Sequence, residues 1–219
     1  VHHYIDGTSE SVPLKGSTSS ETVADEVTEE LRKGTEYTTS QASEDKIDYS
    51  IYELVGTPEN ATGNIAEDTE VTYYYKVKTA DIKINKVAEE DHTKTLADTQ
   101  FQLYEFVGNT STDELIDTKN VGSNWKLLGI YTSSNIGILK LEELPINKEY
   151  RLVEIKSAEG RMIPDGQWKI QFVTGTYDEA DTSIVTINGT PLKINAIGNP
   201  PAMIKTDDGQ LLLPNKEYY

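Results

Sequence analysis

Strict alternation of apolar and polar residues, in runs too short for a helix, constrains this chain most. Val71–Val77 (VTYYYKV), Gln100–Phe106 (QFQLYEF), Glu149–Ile155 (EYRLVEI), Gln167–Val173 (QWKIQFV) and Ser183–Asn188 (SIVTIN) are rich in Val, Ile, Thr and Tyr and end in Gly, Asn, Asp or Pro. A period of two with such punctuation specifies half-buried strands. The expected fold class is therefore mainly β. One segment breaks the pattern: in Glu21–Lys33 (ETVADEVTEELRK), Val23, Val27 and Leu31 fall four apart, acids crowd the start, Arg32 and Lys33 close it and Gly34 follows. These start and stop signals predict one helix there.

Alternation also exposes an anomaly. In ADIKINKV (80–87), Ile82 and Ile84 share a face, and the next residue on that face is Lys86. Tyr150 and Leu152 are followed in the same way by Glu154, and Ile197 by Asn199. Three apolar series thus end in a lysine, a glutamate and an asparagine, all pointing inward by period. A charged lysine and glutamate in a core are costly unless paired. A buried Lys–Glu ion pair with Asn199 closing a strand is one reading of this pattern. Asn195 lies on the face of Asn199 but two positions inside the strand, whereas Lys83 and Asn85 lie opposite Lys86.

Composition narrows the function classes. The 219 residues carry a formal charge of −17, with −10 in residues 1–79 and −7 in residues 80–219. Both parts repel phosphates and anionic lipid surfaces, so no nucleic-acid partner is expected. No segment is apolar enough to insert in a membrane as a helix. The start, VHHYIDG, has no signal-peptide pattern, and the chain reads as a piece of a longer one. Cysteine is absent, which removes disulfides, thiol nucleophiles and cysteine-bound zinc. His2 and His3 are neighbours on a strand and face opposite sides, so no metal site and no cofactor are expected. No phosphate loop or Ser/His/Asp set appears, and no enzyme is expected.

A boundary falls near Lys78–Ala80, where one strand ends and ADIKINKV begins with almost no linker. Before it, HYIDG (3–7), YELVGTPENATGNI (52–65) and EVTYYYKV (70–77) resemble the MucBP repeat of Gram-positive surface proteins. That resemblance implies a small β-grasp-like module over 1–79. As a partner it implies host mucin or another glycoprotein of the extracellular matrix. Strand packing is the plain role of Tyr73, Tyr74 and Tyr75; sugar stacking rests on the family analogy.

After the boundary, INKVAEEDHTKTLADTQFQLYE (84–105), LEELPINKEYRLVEIKSAEGRMIP (141–164) and INAIGNPP (194–201) resemble a CnaB domain over 80–203. The turn Ala158-Glu159-Gly160-Arg161 lacks the proline and aromatic common there. The resemblance implies an inverse immunoglobulin-like β-sandwich and an intramolecular isopeptide bond. Carried over by residue, Lys86 is the nucleophile, Asn199 the electrophile and Glu154 the assisting acid that polarises the Asn199 carbonyl. Residues 204–219 are read as a tail or the start of a further segment. Within them LLLPN (211–215) faintly resembles a sortase signal, but Lys216 and Glu217 stand where Thr and Gly are required. The combined expectation is a monomeric, extracellular stalk or adhesion segment of a Gram-positive cell-wall protein.

Overall fold

The structure is a computed structural model that describes residues 1–28 and 30–218. The chain divides into two compact units, Val1–Lys78 and Thr79–Tyr219.

In the first unit, β1 (His2–Ile5) runs parallel to β5 (Thr72–Val77), and β3 (Tyr52–Leu54) pairs antiparallel on the other side of β5. A second ribbon joins β2 (Glu36–Thr38) to β4 (Thr62–Asn64). The alternation in VTYYYKV acts as expected: Tyr73 and Tyr75 are buried among Val12, Val23, Ile47 and Val71, while Tyr74 faces out. The Tyr75 hydroxyl is satisfied in the core, where it meets His3 Nδ1 at 3.0 Å and accepts from the Ala42 amide at 2.9 Å.

The helix expected over 21–33 does not form among its described residues; Glu29, within that span, lies outside them. Two of the described backbone amides bond to other segments instead. The Val23 amide donates to Val12 O at 2.8 Å, and the Glu26 amide to Val1 O at 2.9 Å. Val23 is buried, yet Val27 is 91% exposed and Leu31 is 40% exposed. Only one of the three apolar residues enters a core, so no stripe exists to hold a helix whose Val and Thr residues are weak helix formers.

The second unit is a two-sheet sandwich. Six strands run in the order β12 (Val185–Ile187), β13 (Thr190–Asn199), β11 (Asp165–Phe172), β10 (Glu149–Lys156), β7 (Gln100–Phe106) and β8 (Trp125–Thr132). Four more run β14 (Ile204–Lys205), β15 (Leu211–Asn215), β6 (Thr79–Ala88) and β9 (Ile138–Pro145). Ile82, Ile84, Leu139, Leu141 and Leu213 of the smaller sheet meet Phe101, Leu103, Leu152, Trp168 and Ile170 of the larger in one core. Burial on this scale is the main term that holds the unit together.

One pairing sets up the site. The segment read as a tail is the last strand: β15 pairs in parallel with β6, with Leu213 opposite Lys86 and Asn215 opposite Ala88. Its Leu211 and Leu213 are core residues, so LLLPN is a strand of the sandwich.

Candidate functional site

Period two carries three side chains to one end of the core. On β6 the inward series Ile82, Ile84 reaches Lys86; on β15 Leu211, Leu213 reaches Asn215; on β10 of the facing sheet Tyr150, Leu152 reaches Glu154. All three are buried, Lys86 and Asn215 completely. Lys86 Nζ donates to Asn215 Oδ1 at 2.7 Å. Asn215 Nδ2 donates to Glu154 Oε1 at 2.7 Å. Glu154 Oε2 lies 3.0 Å from Lys86 Nζ in an ion pair. The carboxyl therefore spans Lys86 and Asn215, one oxygen beside the amine and the other beside the amide nitrogen.

The backbone around these groups is pinned. The Lys86 amide donates to Gly137 O at 2.7 Å, and Lys86 O accepts from the Leu96 amide at 2.8 Å. Gly137 has φ +76°, and a Cβ there would stand 2.7 Å from Lys86 O, so this close approach requires glycine. Asn215 O accepts from the Glu89 amide at 3.0 Å and from Arg161 Nη1 at 3.2 Å. Arg161 is in turn held by Glu90 in a two-pronged ion pair.

Burial lowers the Lys86 pKa to about 8, working against the attraction of Glu154. Phe101 lies 5.7 Å from Nζ and helps keep the amine dry. Removing charge from water disfavours the ammonium and frees the nitrogen lone pair. The arrangement brings a softened amine, a carboxamide and a bridging carboxyl within hydrogen-bond reach.

Lys86 and Glu154 thus come together, and Asn199 does not join them. Asn199 is exposed at the end of β13, opposite Asp165 in the larger sheet. The inward placement of Asn199 assumed unbroken alternation after Ile197. Gly198 intervenes at φ +77°, a left-handed conformation that interrupts the pleat. Asn195 is exposed too, and neither asparagine lies on the sheet that contains β6. Asn215 carried the same signal as Lys86 and Glu154, an apolar series ending in one polar residue. Reading residues 204–219 as a tail or the start of a further segment left it outside the sandwich. The role of Glu154 differs as well: it meets the amide nitrogen of Asn215, whereas Lys86 occupies the carbonyl oxygen.

In the first unit, the outer sheet face places Tyr4 directly opposite Tyr74. His2 stacks on Tyr4 with centroids 5.0 Å apart and reaches Asp25 at 2.9 Å. His3 is buried on the other face against Tyr73 and Tyr75.

Comparison with known proteins gives two family matches. The SpaA prealbumin-like fold domain matches residues 80–190, and the MucBP domain matches residues 4–76. No curated protein matches. Among solved structures, the Bacillus anthracis TIE protein is 14% identical over 71% of this chain and 21% of its own, with a TM-score of 0.36. The group B streptococcus pilus 2b backbone protein is 19% identical over 83% and 53%, at 0.41. The C-terminal fragment of the pilus adhesin SpaC from Lactobacillus rhamnosus GG is 16% identical over 77% and 59%, also at 0.41. The chain thus spans from about a fifth to rather more than half the length of these proteins.

Proposed function

Because the chain belongs to the SpaA prealbumin-like fold domain family, we propose that its second unit locks itself with an isopeptide bond from Lys86 to Asn215, and that the chain is a structural segment of a Gram-positive surface adhesin. The observation that carries this reading is the 2.7 Å contact of Lys86 Nζ with the Asn215 carboxamide in a dry site bridged by Glu154.

The chemistry balances within the three residues. A proton passes from the Lys86 ammonium to Glu154, leaving a neutral amine and a neutral acid. Nζ attacks Cγ of Asn215 and the Nζ–Cγ bond forms. A second Nζ proton goes to Glu154 as the acid proton passes to Nδ2, the Cγ–Nδ2 bond breaks and ammonia leaves. Nζ keeps one hydrogen as the new amide, and Glu154 ends as the neutral acid. Proximity supplies most of the acceleration, since the fold holds reactants that would otherwise have to meet. Glu154 supplies general acid–base help at both ends. The reaction occurs once per chain, on the chain itself, with no external substrate.

The bond ties the first strand of the sandwich to the last. Tension applied to these neighbouring strands would then load a covalent link instead of a ladder of hydrogen bonds. In a chain without cysteine this replaces the disulfide that an extracellular domain would otherwise use. Intact mass tests the reading: folded protein should weigh one ammonia less than its sequence. A folded chain of full mass would refute it.

A second reading concerns the first unit. The MucBP match and the pairing of exposed Tyr74 with half-buried Tyr4, whose neighbour His2 reaches Asp25, favour a platform on which a host glycan packs, with the sandwich as spacer. Sugar faces pack on aromatic rings, and adjacent carboxylates accept from hydroxyls. A glycan array decides it: binding that is lost in Tyr74→Ala supports the platform, and a blank array removes it.

A further inference from the structure

Ser157 stands just beyond β10, three residues after Glu154. Its Oγ donates to Glu154 Oε1 at 2.6 Å, accepts from Asn215 Nδ2 at 3.1 Å and has Met162 O at 2.8 Å as its other acceptor. The hydroxyl has one proton, so it serves Glu154 or Met162 at any moment and keeps a lone pair for Asn215. Both hydrogens of the Asn215 amide nitrogen are therefore held, one by Glu154 and one by Ser157. That double hold fixes the plane of the carboxamide and keeps its oxygen toward Lys86. A carboxamide gripped at one hydrogen only would be freer to turn about its last torsion.

Ser157 differs from the other three in one respect. Lys86, Glu154 and Asn215 are buried, whereas Ser157 is only half-buried. It borders both the leaving nitrogen and the solvent.

We infer that Ser157 is a catalytic residue of the crosslinking reaction: it orients the leaving amide nitrogen of Asn215 and forms the polar exit for ammonia. This inference rests on the Lys86–Asn215 isopeptide reading. Ser157 neither gains nor loses a proton over the step. When the Cγ–Nδ2 bond lengthens, the nitrogen becomes pyramidal and takes its third hydrogen from Glu154. Ser157 holds one of the original two throughout, and the ammonia then departs over the hydroxyl into water. Loss of one aligned hydrogen bond at a reacting atom should slow the step about tenfold.

The test uses the full chain recovered unfolded from inclusion bodies, before it can crosslink, and then refolded. Tryptophan fluorescence, from the buried Trp168 and half-buried Trp125, times folding, and intact mass times ammonia loss. The quantity read is the lag between the two. Ser157→Ala should lengthen that lag about tenfold even if folding itself also slows. Ser157→Thr, which keeps a hydroxyl, should give a lag near that of the natural chain. A Ser157→Ala lag equal to that of the natural chain overturns the role of Ser157 while leaving the isopeptide intact. A Ser157→Thr lag as long as that of Ser157→Ala overturns the hydroxyl as the cause. A natural chain that folds and never loses ammonia overturns the isopeptide reading and this inference together.

Discussion

Lys86 and Asn215 are 129 residues apart in the chain, and their side chains meet at 2.7 Å in the core of the second unit. They meet because β15 lies beside β6 in parallel, with Asn215 two residues past the position opposite Lys86. Both side chains then point to the same face, and a long lysine spans the diagonal.

The first prediction separates the asparagines. Lys86→Ala and Asn215→Ala should each restore the full sequence mass, and Asn199→Ala should keep the ammonia deficit. Tandem mass spectrometry of a tryptic digest should find a branched peptide that joins the sequence around Lys86 to LLLPNK. A branch that ends on Asn199 would contradict the assignment.

Glu154 gives the second. Glu154→Gln keeps the size but removes the acid, and Glu154→Ala removes the bridge to Nδ2. Both should fold on the apolar core and lose most of the crosslink, because proton transfer at both ends runs through this carboxyl. Ammonia loss from Glu154→Ala at the natural rate would exclude Glu154 from the step.

Stability should follow the bond. In the chain-entropy model, closing a loop of this length lowers the entropy of the unfolded chain by an amount worth about 5 kcal/mol. Asn215→Ala should therefore melt well below the natural chain and be cut faster by trypsin. Equal melting temperatures in calorimetry would show that the bond does not constrain the unfolded state.

The rate of crosslinking should depend on pH through Lys86. Burial pulls its pKa down to about 8, and only the neutral amine attacks. The reactive pair, neutral amine beside neutral acid, carries the same single proton as the ammonium–carboxylate pair, so the rate after refolding should be level below that value and fall about tenfold per pH unit above it, as the shared proton is lost. Mass spectrometry of chains refolded across pH 6 to 9 reads this directly. A rate that climbs steadily as pH rises through 8 would have the wrong sign.

The clasp over the site should survive acid. Hydrogen bonding to Arg161 holds the Glu90 carboxyl down at about 2. A lowered carboxylate pKa contributes stability that is complete above the ordinary range near 4.5 and lost as pH falls through the folded value. The natural chain should therefore melt above Glu90→Gln near neutral pH by a small margin, since Glu90 is largely exposed. That margin should close between about pH 4.5 and 2. A margin that widened in acid would contradict the clasp.

The sequence alone determined the strand faces near the site. Ile82, Ile84 and Lys86 share a face because strand side chains alternate, whatever the neighbouring strands are; the same holds for Tyr150, Leu152 and Glu154. Local turn chemistry likewise marked most strand ends. Only the tertiary structure decided which asparagine meets Lys86. Asn199 and Asn215 both follow an apolar residue two positions back, and periodicity cannot say which strand lies beside β6. Sheet assembly made that choice by pairing β15 with β6 and sending β13 to the other sheet, while Gly198 turned Asn199 out of the pleat. The lack of a helix among the described residues of 21–33 has the same cause: the helix period was present in Val23, Val27 and Leu31, but the core of the first unit admitted only Val23. Local pattern fixes direction along one strand, and packing between distant strands fixes the partners.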